Sequence, residues 1–126
     1  MFSQTLLDHF QNPRNAGEFP QADAMVEVSN PVCGDVLQLA VMMEGKKIGA
    51  IRFLCRGCTT AIACGSLLTE QVQGRDIAAL KEITAEKLAQ ALGGLPEASY
   101  HAAQLAEDGL KALLSAVRKA GSVRRE

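Results

Sequence analysis

A chain of 126 residues, 48% of them apolar, is long enough to bury a core without crosslinks or a structural metal, and a single domain over residues 1–126 is the expectation. With 13 basic against 14 acidic side chains, the net charge of −1 offers no basic field for nucleic acid or anionic lipid and no acidic tail. Met1-Phe2-Ser3-Gln4 lacks the basic start and apolar run of a secretory signal, and no stretch is apolar for long enough to span a bilayer. The expectation is therefore a cytoplasmic protein with neither nucleic acid nor membrane as partner.

Ser3 stands where it can cap a first helix whose Leu6, Leu7 and Phe10 recur at helical spacing, and Pro13 ends that pattern. A loop rich in Asn, Pro and Gly follows, from Asn12 to Gln21. Between Ala24 and Arg56 the period becomes two. Ala24, Val26 and Val28 alternate with Met25, Glu27 and Ser29, and Leu37, Leu39, Val41 and Met43 alternate with Val36, Gln38, Ala40 and Met42. Glu44-Gly45-Lys46-Lys47 reads as a hairpin turn into a third strand holding Ile48, Ile51 and Phe53.

After Gly57 the spacing of Ala61, Ile62, Gly65, Leu68 and Val72 predicts a helix with one apolar face, ending by Gly74. A short helix near Asp76–Leu80 comes next. Thr84 can cap another over Ala85–Leu92, stopped by Gly93-Gly94, and Pro96 opens a long last helix with a stripe of Ala103, Ala106, Leu110, Leu113, Leu114 and Val117. Strands first and helices afterwards make an α+β domain: a three-stranded antiparallel sheet with helices packed on one face.

Four cysteines, Cys33, Cys55, Cys58 and Cys64, in a chain without an export signal point to metal or sulfur chemistry rather than structural disulfides. Asn30-Pro31-Val32-Cys33-Gly34-Asp35 joins two strands at a tight turn and presents a soft thiol with a harder carboxylate; a buried turn cysteine beside a turn aspartate is the plainer reading. Cys58 falls where a strand gives way to a helix, and the free amides and macrodipole of a helix N-terminus favour a thiolate there. Cys55 and Cys58 form a C-x-x-C pair, which also occurs in redox dithiols, although the βαβ surroundings of a thioredoxin are missing. Cys64 reads as core filling. His101 falls opposite the apolar stripe of the last helix and by itself reads as an exposed polar residue, and His9 is assigned no part in chemistry.

Together these segments resemble the IscU/NifU N-terminal family of iron–sulfur cluster assembly scaffolds. The likeness runs through Leu7-Asp8-His9-Phe10-Gln11-Asn12-Pro13-Arg14-Asn15, Asn30-Pro31-Val32-Cys33-Gly34-Asp35, Gly57-Cys58-Thr59-Thr60-Ala61-Ile62-Ala63, Leu95-Pro96, His101 and Leu105-Ala106-Glu107-Asp108. The resemblance implies a SufE/NifU fold and a non-catalytic scaffold or carrier. Such a protein takes sulfur from a cysteine desulfurase, holds iron or a labile 2Fe–2S cluster, and passes it to apo-proteins. It also implies the donors Cys33, Asp35, Cys58 and His101, and so raises His101 from surface residue to site residue.

Members carry a third cysteine directly after the histidine, and this chain has Ala102 there. Three explanations stand: Cys64 or Cys55 serves as replacement ligand; the four donors suffice for a cluster or for zinc; or the chain is a paralogue that has lost assembly. The four donors favour a retained metal site, with zinc as the alternative occupant and a zinc-binding sulfur-transfer partner of a desulfurase as the alternative role. The Leu-Pro-Pro-Val-Lys segment that an Hsp70-type chaperone recognises in the IscU branch is replaced by Leu95-Pro96-Glu97-Ala98-Ser99, and the path from Cys58 to Ala102 is too short for the insertion of the SufU branch.

Overall fold

The computed structural model describes residues 2–124, with side chains up to Lys119, so residues 1, 125 and 126 of the expected domain lie outside the described residues. The element order is α1 (Gln4–Gln11), β1 (Ala24–Ser29), β2 (Val36–Glu44), β3 (Lys47–Arg56), α2 (Thr59–Val72), a 3₁₀ helix (Ile77–Glu82), α3 (Ala85–Ala91), a 3₁₀ turn (Glu97–Ser99) and α4 (Tyr100–Arg124). None of the described helices is long and apolar enough to cross a membrane.

The three strands form one antiparallel sheet in the order β1-β2-β3, as the alternating pattern required. Leu37, Leu39, Val41, Ile51 and Phe53 are buried on the helix-covered face, while Met25, Met42 and Leu54 are exposed on the other. Ile48 and Ile51 are both buried although three residues apart, a spacing that a regular strand would send to opposite faces. A register shift reconciles them. Met42 pairs with Ala50 and Met43 with Ile48, so Gly49 is the extra residue of a bulge. The far edge of β3 is covered by the loop after α1, where Phe53 N–H donates to the Asn15 carbonyl and Gly17 N–H to that of Phe53.

α4 lies across β1 and β2 and α2 lies against β3. Gly109 allows the close approach of α4, since a Cβ there would meet Leu37 Cδ2 at 3.1 Å and Leu39 Cδ1 at 3.2 Å. The stripe read from the sequence, Ala103 to Val117, is buried throughout. The long helix begins at Tyr100 rather than at Pro96, because the chain first winds through the 3₁₀ turn that Pro96 caps. The single apolar face assigned to α2 is too narrow a description. Ala63, Cys64, Ser66, Leu67 and Thr69 are buried together with Ala61, Gly65, Leu68 and Val72, whereas Ile62 is only partly covered, because α1 packs on a second side of the helix.

The contact of α1 with α2 is polar at its centre and uses His9, which sequence patterning left without a role. His9 is buried, with Nδ1 2.7 Å from Ser66 Oγ and Nε2 3.6 Å from Glu70 Oε1. The Arg14 N–H donates to the same Ser66 oxygen, and the Arg14 guanidinium reaches Asp8 and Glu70. Burial, followed by the positive charge of Arg14, holds the His9 pKa below the ordinary 6.5, against the weaker pull of Glu70 and Asp8. A histidine kept neutral in the fold binds its proton more readily after unfolding, so its contribution to stability is complete above pH 6.5 and is lost as the pH falls below it. Urea titrations at pH 7.5 and at pH 5.5 will therefore show a loss of stability on acidification that is smaller in His9→Gln than in the wild type.

Candidate metal centre

One end of the sheet gathers the sulfur, oxygen and nitrogen donors. The turn between β1 and β2 is held by Asn30, whose side-chain oxygen accepts from Val32 N–H at 2.9 Å and Cys33 N–H at 3.4 Å, while Gly34 N–H donates to the Asn30 carbonyl. Gly34 closes the turn at φ +78°, a conformation that glycine adopts without strain. This leaves Cys33 exposed at the tip and Asp35 buried beneath it, so the plainer reading of a buried cysteine in this turn is replaced by the reverse arrangement.

Cys58 is the N-cap of α2, with its sulfur accepting the Ala61 N–H at 3.4 Å. Its S–H is directed at Asp35 Oδ2, 3.6 Å away. Gly57 lies directly against the carboxylate: a Cβ at this position would be 2.7 Å from Asp35 Cγ and 2.9 Å from Oδ1. His101 comes from the first turn of α4, and its Nε2 is 3.9 Å from Asp35 Oδ2. The partial exposure of His101 follows from its place off the apolar stripe, whose neighbours Ala102 and Ala103 are sealed in the core.

Ligand atoms of Cys33, Asp35 and His101 all lie within 4.8 Å of one another, a spread that one metal ion can bridge. Cys58 lies beside this group rather than within it, its sulfur 3.6 Å from Asp35 Oδ2. The two remaining cysteines differ. Cys64 is fully buried in the core, as its position on the helix suggested, and burial, with smaller effects from Cys58 and Cys55, pushes its thiol up to about 12. Cys55 is half-buried, and burial, then Asp35, then Cys58, push it up to about 11.

The NifU-like N terminal domain family matches residues 1–121. This chain belongs to that family. Among its relatives, the iron-sulfur cluster assembly scaffold protein IscU 1 of Archaeoglobus fulgidus is 41% identical over 124 residues, covering 98% of this chain and 81% of its own. The IscU scaffold protein of Aquifex aeolicus is 36% identical, covering 93% and 74%. Two solved structures share the fold: one from Fervidobacterium islandicum (TM-score 0.74, 22% identity, 90% of this chain and 96% of the other) and a NifU-like N-terminal structure from Brucella abortus (TM-score 0.69, 17% identity, 95% and 94%). The α+β architecture expected from the sequence is thus that of other NifU-like domains.

In this NifU-like domain exposure separates the thiols by reactivity, and burial, which raises the pKa of Cys55 and Cys64, lowers the reactivity of those two further. Brief alkylation of the native protein at neutral pH will modify Cys33 and Cys58 and spare Cys55 and Cys64, and all four will react in denaturant; peptide mass mapping gives the readout. Gly57→Ala will push the carboxylate away from Cys58 and His101. Metal affinity will fall about 10- to 100-fold, as when an outer-shell support is removed, measured by titration with Co(II).

Proposed function

We propose that this protein is a scaffold or carrier in iron–sulfur cluster assembly, receiving sulfur from a cysteine desulfurase and holding iron or a labile 2Fe–2S cluster for delivery to apo-proteins. The observation that carries this reading is the convergence of Cys33, Asp35 and His101 within 4.8 Å in a chain of the NifU-like family. Cys33, Asp35, Cys58 and His101 are the proposed donors. Thiolates bind iron firmly, whereas a carboxylate is a poor partner for a soft cluster, so a mixed set favours release over storage. The exposed Cys33 and Cys58 give an incoming desulfurase access to sulfur, and the buried Asp35 keeps the donors in register. The proposed site of action is the cytoplasm, and the altered Leu95–Ser99 segment supports no role for an Hsp70-type chaperone.

Ala102 favours a second reading. With its side chain in the core and no sulfur to offer, the clustered donors are Cys33, Asp35 and His101, and the Cys58 sulfur beside Asp35 would complete, on moving in, a set that one tetrahedral zinc can satisfy. In that case the protein is a zinc-binding acceptor of sulfur from the desulfurase. Anaerobic reconstitution with iron, L-cysteine and a desulfurase distinguishes the two. A scaffold develops visible absorption with iron and acid-labile sulfide in proportion, and loses it in Cys33→Ser and Cys58→Ser. One tightly held zinc per chain without a chromophore supports the second reading, and a protein that neither develops a chromophore on reconstitution nor binds zinc overturns both.

A further inference from the structure

The donor set leaves the Cys55–Cys58 pair without an account as a pair. Cys55 is opposite Leu37 in the β2–β3 register, which places its thiol on the helix-covered face, packed against the core. Three residues later, beyond the turn at Gly57, the exposed Cys58 begins α2 with its sulfur 3.6 Å from Asp35 Oδ2. The two cysteines bracket the residue whose backbone lies against the Asp35 carboxylate, and both thiols are free. One sulfur is thus open to a donor, and a second, half-buried against the core, precedes it at C-x-x-C spacing. That division of labour suits thiol–disulfide exchange, in which an exposed sulfur is loaded and a less exposed thiol displaces the load.

We propose that Cys55 is the resolving thiol for sulfane sulfur carried on Cys58, converting it to sulfide inside the protein. The Cys55 sulfur attacks the inner sulfur of the persulfide Cys58–S–S⁻. The bond between Cys58 and the outer sulfur breaks, the Cys55–Cys58 disulfide forms, and the outer sulfur leaves with the Cys55 proton as hydrosulfide, HS⁻. Two electrons pass to the outer sulfur, which goes from sulfane to sulfide, and the two cysteine sulfurs are oxidised to the disulfide. An external dithiol reductant then restores the pair. This inference rests on the reading of the chain as a sulfur acceptor and deepens it, because a cluster needs sulfur as sulfide whereas a desulfurase delivers it one oxidation step away. It also gives Cys55 a use that does not require it to take the place of the cysteine missing at Ala102.

The full-length protein, prereduced and free of added thiol, is charged anaerobically with a desulfurase and limiting L-cysteine, quenched by alkylation at intervals, and read by intact and peptide mass spectrometry with a parallel sulfide assay. In the wild type, a Cys55–Cys58 disulfide will appear together with an equal amount of sulfide, and the extra sulfur on Cys58 will be short-lived. In Cys55→Ser and Cys55→Ala it will persist at least about tenfold longer, with no disulfide. Cys64→Ala will behave as wild type. Equal persulfide lifetimes in wild type and the Cys55 variants, or a disulfide joining Cys58 to Cys33 or Cys64, overturn the proposal while leaving the acceptor reading intact. Failure of the wild type and both Cys55 variants to take up any sulfur overturns the acceptor reading and this proposal with it.

Discussion

The carboxylate of Asp35 is the group around which the site is built. It is almost fully buried at the end of the sheet, yet it receives the Cys58 thiol at 3.6 Å and His101 at 3.9 Å, and Gly57 lacks a side chain where the carboxylate needs the space. A buried carboxylate without partners is costly, so the segments that approach it are constrained by the need to keep it satisfied. The turn carrying Cys33, the strand-to-helix junction carrying Cys58 and the first turn of α4 carrying His101 are brought to the same few ångströms by that constraint. The apolar core underneath supplies the framework, with α4 drawn close to the sheet at Gly109.

Much of this was legible in the sequence because it rests on short-range physics. Period-two alternation gave the strands and their faces, Ser3 and Thr84 act as helix caps as read, and Cys58 stands at the helix start where its position implied. The features that were not legible depend on contacts between distant segments. The bulge at Gly49 is set by the opposing strand, which no local pattern records. His9 and Ser66 are far apart along the chain, and nothing in either neighbourhood announces that the two side chains meet in the interior. The all-round burial of α2 likewise needs knowledge of where α1 docks.

The site divides in the same way. Cys33 and Asp35 could be paired by sequence proximity, but which was exposed and which buried was decided by the Asn30 turn, and of the two local readings the presented thiol holds while the buried cysteine does not. His101 was the extreme case. Helical periodicity placed it on the outside, and only family resemblance singled it out; the structure leaves it partly exposed with its Nε2 3.9 Å from Asp35 Oδ2, a position compatible with both. The direction of Cys55 at the end of its strand is set by the pairing with Leu37, which puts it on the inner face.

The donors come from three separate stretches of the chain, the β1–β2 turn, the start of α2 and the start of α4, with half the sequence lying between Cys33 and His101. A cargo held by all of them would act as a clasp between the sheet and the last helix, and anything that binds the folded form alone adds to its stability in proportion to the logarithm of its concentration over its dissociation constant. Loading would therefore tighten the protein and unloading would relax it. In the proposed role, a carrier built this way gives up part of its own rigidity with each delivery, and a recipient has to compete with the fold of the donor as well as with its ligands.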